Sequence, residues 1–254
     1  MTAAGTARER LKKVPGLVPA VRSARTLRRS TIHSAEDVRW LAGRFGRSKR
    51  VDTYLRTHGE RKLQLGTGAN VYAGWLNTDI HDFLRRGEVV YMDVRKPFPL
   101  PGAAFDLVFS EHMIEHLTWT DGQQCLRECH RVLRPGGRIR VATPSLDRLI
   151  RLYDAELTDL QRRYIRWSLE TFIAYADAEL PGFVLNNFLR DWGHEFVYDT
   201  RTLRHALETA GFVDVTEWPV GESDDPRLAG LERHMRSAAE FNAYETMVLE
   251  ARRP

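Results

Sequence analysis

Two histidines in the sequence have surroundings typical of groups that exchange protons. His112 follows Ser110 and Glu111, and His194 lies in a segment of aromatic and acidic residues, 191–196. Histidine changes charge near neutral pH, so either ring is a candidate general base for a hydroxyl. For His194 a second interpretation stays open, in which the ring only holds a helical segment against the rest of the protein.

A glycine-rich turn and two aspartates indicate a ligand site. The first predicted strand ends at Gly66-Thr67-Gly68, where glycine lets the backbone approach a ligand closely. Asp79 and Asp93 end the next two predicted strands. An acid at the first of these positions can accept hydrogen bonds from both hydroxyls of a ribose. Either aspartate can instead bond its own backbone in a turn.

Short apolar segments alternate with loops and helical patterns, which predicts an α/β fold with a parallel sheet. Strands are expected near residues 62–66, 75–79, 88–92, 105–109, 138–142, 212–218 and 244–250. Helices are expected from Ser34 to Ala42, over 49–57, after a capping box at Thr120–Gln123, and after the cap Asp199. Residues 143–198 are predicted to form a mostly helical insert.

Several motifs follow one another in a recognisable order. They are Leu-Gln-Leu-Gly-Thr-Gly (63–68), Gly-Trp-Leu-Asn-Thr-Asp (74–79), Phe-Asp-Leu-Val-Phe-Ser-Glu-His (105–112) and Leu-Arg-Pro-Gly-Gly (133–137). This series resembles the class I S-adenosylmethionine-dependent methyltransferases, and most of all a bacterial branch associated with glycan and natural-product biosynthesis. The resemblance implies a Rossmann-like, mostly parallel sheet of seven strands. Helices would cover both faces, and one antiparallel strand would lie near the C-terminus.

The resemblance also implies the cofactor S-adenosylmethionine, with S-adenosylhomocysteine as its product, and no metal. The residues that it places at the cofactor are Gly66, Thr67, Gly68, Asp79, Ile80, Met92, Asp93, Val94, Ser110 and Glu111. Ten residues separate Gly68 from Asp79, too few for the full helix that usually joins the first two strands in this family. Such a shortened connection is typical of the branch, and it leaves the ribose contact of Asp79 less certain than in the wider family.

The helical insert is expected to shape the site of the acceptor. The residues expected to contact the acceptor are His116, Tyr175, Asn186, Asn187 and Trp192. His112 and His194 are the catalytic candidates. For His116 the alternative is a role in ordering its loop, and for the asparagine pair it is turn formation. The acidic string 221–226 is interpreted as a structured turn.

The expected reaction is methyl transfer to a small polar acceptor by in-line displacement. An oxygen of a sugar-derived or specialised metabolite is the first choice, while nitrogen and carboxylate acceptors remain open. The alternatives are transfer of another group, such as aminocarboxypropyl, and a non-catalytic scaffold that retains the fold. The Asn/Asp-Pro-Pro-(Tyr/Phe) element of enzymes that methylate adenine-type amino groups is absent from the sequence, which argues against a nucleic-acid substrate.

The net charge of +4 is unevenly distributed along the 254 residues. Residues 1–62 hold 16 Lys and Arg against 5 Asp and Glu, whereas the remainder has a net charge of −7. We therefore divide the chain into a basic arm with helices, 1–60, and a catalytic domain, 61–254. The arm is either a solvated tail or a contact for a polyanion.

The expected setting is the cytoplasm, because no stretch approaches the roughly 18 apolar residues of a membrane span and no signal peptide is evident. Cys125 and Cys129 lie four residues apart in one predicted helix, which makes a disulfide framework improbable. A homodimer is compatible with the sequence.

Overall fold

The computed structural model describes residues 44–81, 88–235 and 238–254. The predicted basic arm up to residue 43, with its helix from Ser34 to Ala42, lies outside the described residues. Residues from Arg47 to Pro254 form one compact unit. Among the helices that the structure describes, none is long and apolar enough to cross a membrane.

The strands form a single sheet. They are β1 (Lys62–Leu65), β2 (Leu76–Asp79), β3 (Val90–Tyr91), β4 (Phe105–Glu111), β5 (Leu133–Pro144), β6 (Val213–Trp218) and β7 (Thr246–Arg252). Within the described residues this sheet has seven strands, in the order β3-β2-β1-β4-β5-β7-β6. β7 runs antiparallel to both of its neighbours, and the other pairs are parallel. The predicted fold class is therefore confirmed.

Of the described helices, one precedes β1, and the others lie between the later strands. They are α1 (Arg44–Thr57), α2 (Trp119–Val132), α3 (Leu146–Ile150), α4 (Asp159–Phe172), α5 (Pro181–Arg190), α6 (Thr200–Thr209) and α7 (Ala239–Glu245). The capping box predicted at Thr120 is wrong, because Thr118 is the extended residue that precedes α2. The Thr118 hydroxyl accepts a hydrogen bond from the backbone amide of Asp121 at 3.2 Å. The predicted cap of α6 by Asp199 is confirmed.

One face of the sheet is covered by helices. Leu63 of β1 and Phe105 of β4 belong to the main core cluster, together with Leu126 of α2 and Leu203 of α6. Every residue of β4 is buried, as expected for a central parallel strand that is covered on both faces. Because β4 lies between β1 and β5, its last residues lie in the middle of the row formed by the strand ends.

The opposite face is covered without a helix between β1 and β2. Leu107 and Phe109 of β4 pack against Tyr72 and Trp75 of the short β1–β2 connection and against Leu228 and Leu231. The last two come from residues 219–235, which follow β6 and which we call the late segment. The predicted turn at 221–226 opens this segment. A remote part of the chain thus buries apolar surface that the short connection leaves uncovered.

The helical insert has an apolar cluster of its own. Tyr164 and Ile165 of α4 pack with Val184 and Phe188 of α5 and with Leu149 of α3. α4 begins with a reciprocal capping box, in which Thr158 and Gln161 each bond the other's backbone amide. The insert is therefore a packed layer, with a fixed surface to present to a ligand.

A buried ion-pair network ties the late segment to the sheet. Arg140 of β5 is fully buried and donates to both oxygens of Glu232, at 2.6 and 3.0 Å, and to Glu250 of β7 at 2.5 Å. Its guanidinium also donates to the carbonyl oxygen of Glu222 at 2.8 Å. The planar fork of arginine satisfies these acceptors together, which a lysine could not do.

We predict that Arg140→Met destabilises the protein by about 3–5 kcal/mol, because it leaves the buried carboxylate of Glu232 without its arginine and leaves Glu250 with Arg138 alone. The free energy of unfolding, measured by urea denaturation, tests this value. Arg166→Met is the matched control, since the pair of Arg166 with Glu179 is exposed and is expected to contribute little. Equal effects of the two substitutions would contradict the assignment.

Candidate active site

A cavity of about 410 Å³ opens at the carboxyl ends of β1 and β4. The first strand and its turn contribute Gln64, Gly66, Thr67, Gly68, Ala69 and Asn70. The end of β4 and the turn after it contribute Glu111, His112, Glu115 and His116. The insert contributes Phe172, Phe188, Trp192 and His194. The late segment and α7 contribute His234, Met235 and Glu245.

The glycine turn has a backbone that other residues do not readily adopt. Gly66 and Gly68 have φ angles of +61° and +52°. A Cβ on Gly66 would lie 2.3 Å from Cγ of Met113, so a side chain does not fit there. Gly68 donates its amide to the Asp79 carboxylate at 2.8 Å. The acid at the end of β2 thereby fixes the shape of the turn that lines the cavity.

Asp79 and Asp93, two of the predicted cofactor residues, are not part of the described cavity lining. Asp79 accepts a second backbone amide, that of His81, at 2.8 Å. Asp93 accepts the amide and the guanidinium of Arg95. Burial opposes ionisation of Asp93, but these bonds outweigh it and lower the pKa of the carboxyl. Both acids thus form the local turns that the sequence left open as an alternative.

The remaining predicted cofactor residues occupy the same edge of the sheet. Met92, Val94 and Ser110 are buried, and Ile80 is half-buried. None of these four lines the cavity as the structure describes it. Their predicted contacts with a cofactor remain predictions.

Glu111 joins the late segment to the end of β4. One carboxylate oxygen accepts the backbone amides of Arg233 and His234, each at 2.7 Å. Burial raises the pKa of Glu111 despite these bonds. This contact brings the ring of His234 into the cavity wall, although His234 follows Glu111 by more than 122 residues in the chain.

Both ring nitrogens of His112 face hydrogen-bond acceptors. Thr246 donates its hydroxyl to the side-chain oxygen of Asn242 at 3.0 Å, so its oxygen is left to accept from Nε2 of His112, also at 3.0 Å. Nδ1 lies 3.4 Å from the Glu115 carboxylate. Burial opposes protonation of this ring, yet the neighbouring carboxylates raise the pKa of His112. These contacts favour a fixed imidazolium over a free base.

Glu115 is fully buried beside this imidazolium. Its carboxylate accepts the Thr143 hydroxyl at 3.0 Å. Burial alone would raise the pKa of Glu115, but the hydrogen bond and charge of His112 hold it well below its usual range. The backbone carbonyl of Glu115 accepts the amides of Glu195 and Phe196, at 2.8 and 3.2 Å. The insert is therefore joined to the turn after β4 at the point where His194 enters the cavity.

His194 has the opposite character to His112. Its Nδ1 lies 2.7 Å from the carbonyl oxygen of Phe188, which can only accept, so Nδ1 carries the proton. Burial lowers the pKa of His194, and the ring is neutral near pH 7. Its Nε2 therefore retains a lone pair on a side chain that lines the cavity. The exposed ring of His116 meets it edge-on at 4.9 Å.

Aromatic side chains from the insert form one wall of the cavity. Trp192 lies edge-to-face against Phe172 and Phe188, each at 5.2 Å between ring centroids. Trp192 also has a positive φ of 56°. The other predicted acceptor contacts are elsewhere: Tyr175 is exposed, Asn186 bonds the Gly182 carbonyl on the outside of α5, and Asn187 is buried. The structure does not bring these three to the cavity.

One family model matches the part of the chain that runs from β1 into β5. Residues 63–141, which are 79 of the 254 residues, match the family model described as a methyltransferase domain. The family uses S-adenosylmethionine as its methyl donor.

Relatives resemble parts of the chain. A stretch of 47 residues is 53% identical to a probable S-adenosylmethionine-dependent methyltransferase of Mycolicibacterium smegmatis, and it spans 18% of each protein. A methyltransferase structure from Archaeoglobus fulgidus has a TM-score of 0.46 and 19% identity, covering 84% of this chain and 94% of the other. One from Mesorhizobium loti has a TM-score of 0.47 and 20% identity, covering 78% and 95%.

Two residues of the cavity wall, His234 and Glu245, were not among the predicted site residues. His234 stacks on His112 at 3.9 Å, and burial together with the charge of His112 lowers its pKa to about 3. Glu245 accepts the Tyr164 hydroxyl at 2.6 Å, and burial raises its pKa to about 7. A polar residue directly before the apolar strand β7 is the signal that points to Glu245. For His234 we find no signal in the sequence.

Two groups of side chains bring possible metal ligands within 4.8 Å of one another in the described part of the chain. They are His112, His234 and Glu245, and Glu115, His116 and His194. Both nitrogens of His112 face protein partners, and of the Glu115 oxygens one accepts the Thr143 hydroxyl while the other makes no hydrogen bond and faces Nδ1 of His112 at 3.4 Å. Neither group therefore offers three free donors, and the absence of a metal remains a prediction.

We predict different protonation states for two of the histidines near neutral pH. His112 should carry protons on both ring nitrogens, whereas His194 should be neutral with its proton on Nδ1. Nitrogen-15 NMR of histidine-labelled protein, with peaks assigned from single histidine variants, distinguishes these states. Glu115→Gln should lower the pKa of His112, because it removes the negative charge next to Nδ1. A pKa of His112 at or below that of free histidine, about 6.5, would contradict the arrangement.

Proposed function

We propose that this protein transfers a methyl group from S-adenosylmethionine to a hydroxyl oxygen of a small polar acceptor, such as a sugar-derived or specialised metabolite. One observation carries the proposal: the glycine turn and a neutral histidine with a free Nε2 line the same cavity. The volume of that cavity lies within the range of small-molecule sites.

The cavity has features that fit the cofactor. Gly66 lines the cavity in a conformation with positive φ, against Met113, which a residue with a Cβ could not adopt without a clash. The side-chain oxygen of Gln64 is buried without a hydrogen-bond partner and lines the cavity, so it can accept from an ammonium group of a ligand. Glu111 adds negative charge beside the glycine turn. Asp79 supports the turn through Gly68 and has lone pairs left for hydroxyl donors.

The chain's own residues would supply orientation and a proton acceptor. When bound, the cofactor supplies an electrophilic methyl group with a neutral leaving group, so positioning provides much of the rate. The aromatic wall would hold the acceptor, and His194 would take the hydroxyl proton on Nε2. The bond from Nδ1 to Phe188 fixes the tautomer that this role requires. General-base catalysis of this kind contributes about 10²–10⁴-fold.

The first prediction concerns the cofactor. S-adenosylmethionine and S-adenosylhomocysteine should both bind the full chain in calorimetric titration. Asp79→Ala should weaken binding about tenfold or more, because it removes the charged hydrogen bond that fixes Gly68 in the glycine turn, together with the bond to the His81 amide. Asp159→Ala, an exposed acid at the start of α4, is the control and should bind as the wild type does. Unchanged affinity in Asp79→Ala would refute the cofactor assignment.

The second prediction concerns the base. His194→Ala should leave cofactor affinity unchanged and lower turnover by about 10²-fold or more. The measurement is a screen of hydroxylated small molecules with the wild type, in which mass spectrometry detects methylated product, followed by kinetics of the variant. His205→Ala, an exposed histidine outside the cavity, serves as control. A product that carries an aminocarboxypropyl group, or full activity of His194→Ala, would overturn the proposal.

A further inference from the structure

The cavity wall is acidic although the chain as a whole is basic. Three glutamates line the cavity, Glu111, Glu115 and Glu245, and no residue of the described lining is lysine or arginine. Arginines are abundant elsewhere on the surface of the protein. Because none belongs to the described lining, the glutamates make the electrostatic potential inside the cavity negative. Low-dielectric walls strengthen that field relative to water.

One cation does not neutralise these acids. Glu115 is paired with the imidazolium of His112. His194 donates to a carbonyl and is neutral, and His234 stacks on His112 as a neutral ring. The Glu111 carboxylate accepts two backbone amides, and the Glu245 carboxylate accepts the phenol of Tyr164, with its pKa raised by burial to about 7. The cavity therefore retains negative charge for a ligand to balance.

Glu111 and Glu245 contact different elements of the cavity wall. Leu65 pairs with Ser110 in the sheet, so Glu111 lies beside Gly66 and the cofactor turn. Glu245 accepts the hydroxyl of Tyr164, a residue of α4, which also carries Phe172 of the aromatic wall. A cationic cofactor would be balanced by the first acid. The second acid is bonded to the insert side of the cavity, and its carboxylate also lies within 4.8 Å of ring nitrogens of His112 and His234.

The aromatic wall lies on this same side. Trp192 is 44% exposed even though its ring lines the cavity, so its surface is available to a ligand. Aromatic faces attract cations, and the attraction is strongest for tryptophan. An acid together with such a wall is the combination that recognises an organic ammonium group.

We propose that the acceptor carries an ammonium group in addition to its hydroxyl, and that this group binds between the aromatic wall and Glu245. The inference rests on the proposed function for its hydroxyl, but the cation site can be tested separately. It excludes acceptors whose recognition depends on a carboxylate or a phosphate, since the described lining offers them no cationic side chain except the already paired His112.

The test compares probes of one shape and different charge. Choline, its neutral isostere 3,3-dimethylbutan-1-ol and the anion 3,3-dimethylbutanoate are titrated into the full chain saturated with S-adenosylhomocysteine. Choline should bind about tenfold or more tightly than the neutral probe, and the anion should not bind. If S-adenosylhomocysteine itself fails to bind, the proposed function fails, and the same titration without it still decides the charge preference.

Variants locate the site. Glu245→Gln should abolish most of the preference for choline, whereas Glu240→Gln, an exposed acid of the same helix, should retain it. Trp192→Leu should weaken choline binding about threefold to thirtyfold, and Tyr175→Leu, an exposed aromatic outside the cavity, should not. Thermal unfolding confirms that each variant is folded. Equal binding of choline and its isostere to the wild type, or no binding of choline at millimolar concentration, would overturn the inference.

Discussion

The buried carboxylate of Glu115 is the contact on which the arrangement of the cavity depends. An isolated charge in this position would cost several kcal/mol, so it stays ionised only while His112 and Thr143 remain in place. His112 in turn bonds Thr246 at the start of β7, and the carbonyl of Glu115 binds the insert through two amides. One ion pair thereby fixes the end of β4, β5, β7 and the insert relative to one another. The need to keep the buried Glu115 carboxylate paired therefore positions the catalytic candidates, and the rigidity of any single loop does not.

Much of the fold and part of the site could be predicted from sequence because they depend on local patterns. The apolar strands, the glycine turn and the cap at Asp199 are each encoded within a few neighbouring residues. The predicted cap of α2 was two residues too late. Thr118 and Thr120 have the same side chain, and only the extended backbone of Thr118 distinguishes the true cap. His234 could not be found, because its position follows from a bond to Glu111 across 123 residues. Tyr175 was predicted at the acceptor on composition alone, which does not say on which side of a helix layer a ring lies.

The short connection between β1 and β2 has consequences far along the chain. A missing helix leaves Leu107 and Phe109 uncovered, and the late segment supplies Leu228 and Leu231 in its place. Arg140 then anchors that segment near its start and near its end, through Glu222 and Glu232, and Glu111 binds the amides that follow Glu232. His234 belongs to this segment, so it reaches the cavity because the segment covers the sheet. The acidic string that opens the segment is thus explained by structure, since Arg138 and Arg140 lie opposite it.

His112 and His194 illustrate how one cavity gives the same side chain two properties. A carboxylate on Nδ1 raises the pKa of the first ring, whereas a carbonyl on Nδ1 combined with burial leaves the second neutral. Opposite pKa shifts in neighbouring groups are the usual means by which a site keeps one group charged and leaves the other able to accept a proton. The fixed charge of His112 keeps Glu115 ionised, and the backbone carbonyl of Glu115 accepts the amides of Glu195 and Phe196, which follow His194 in the chain. The acid that stabilises the fold and the base proposed for the reaction are therefore parts of one hydrogen-bonded unit.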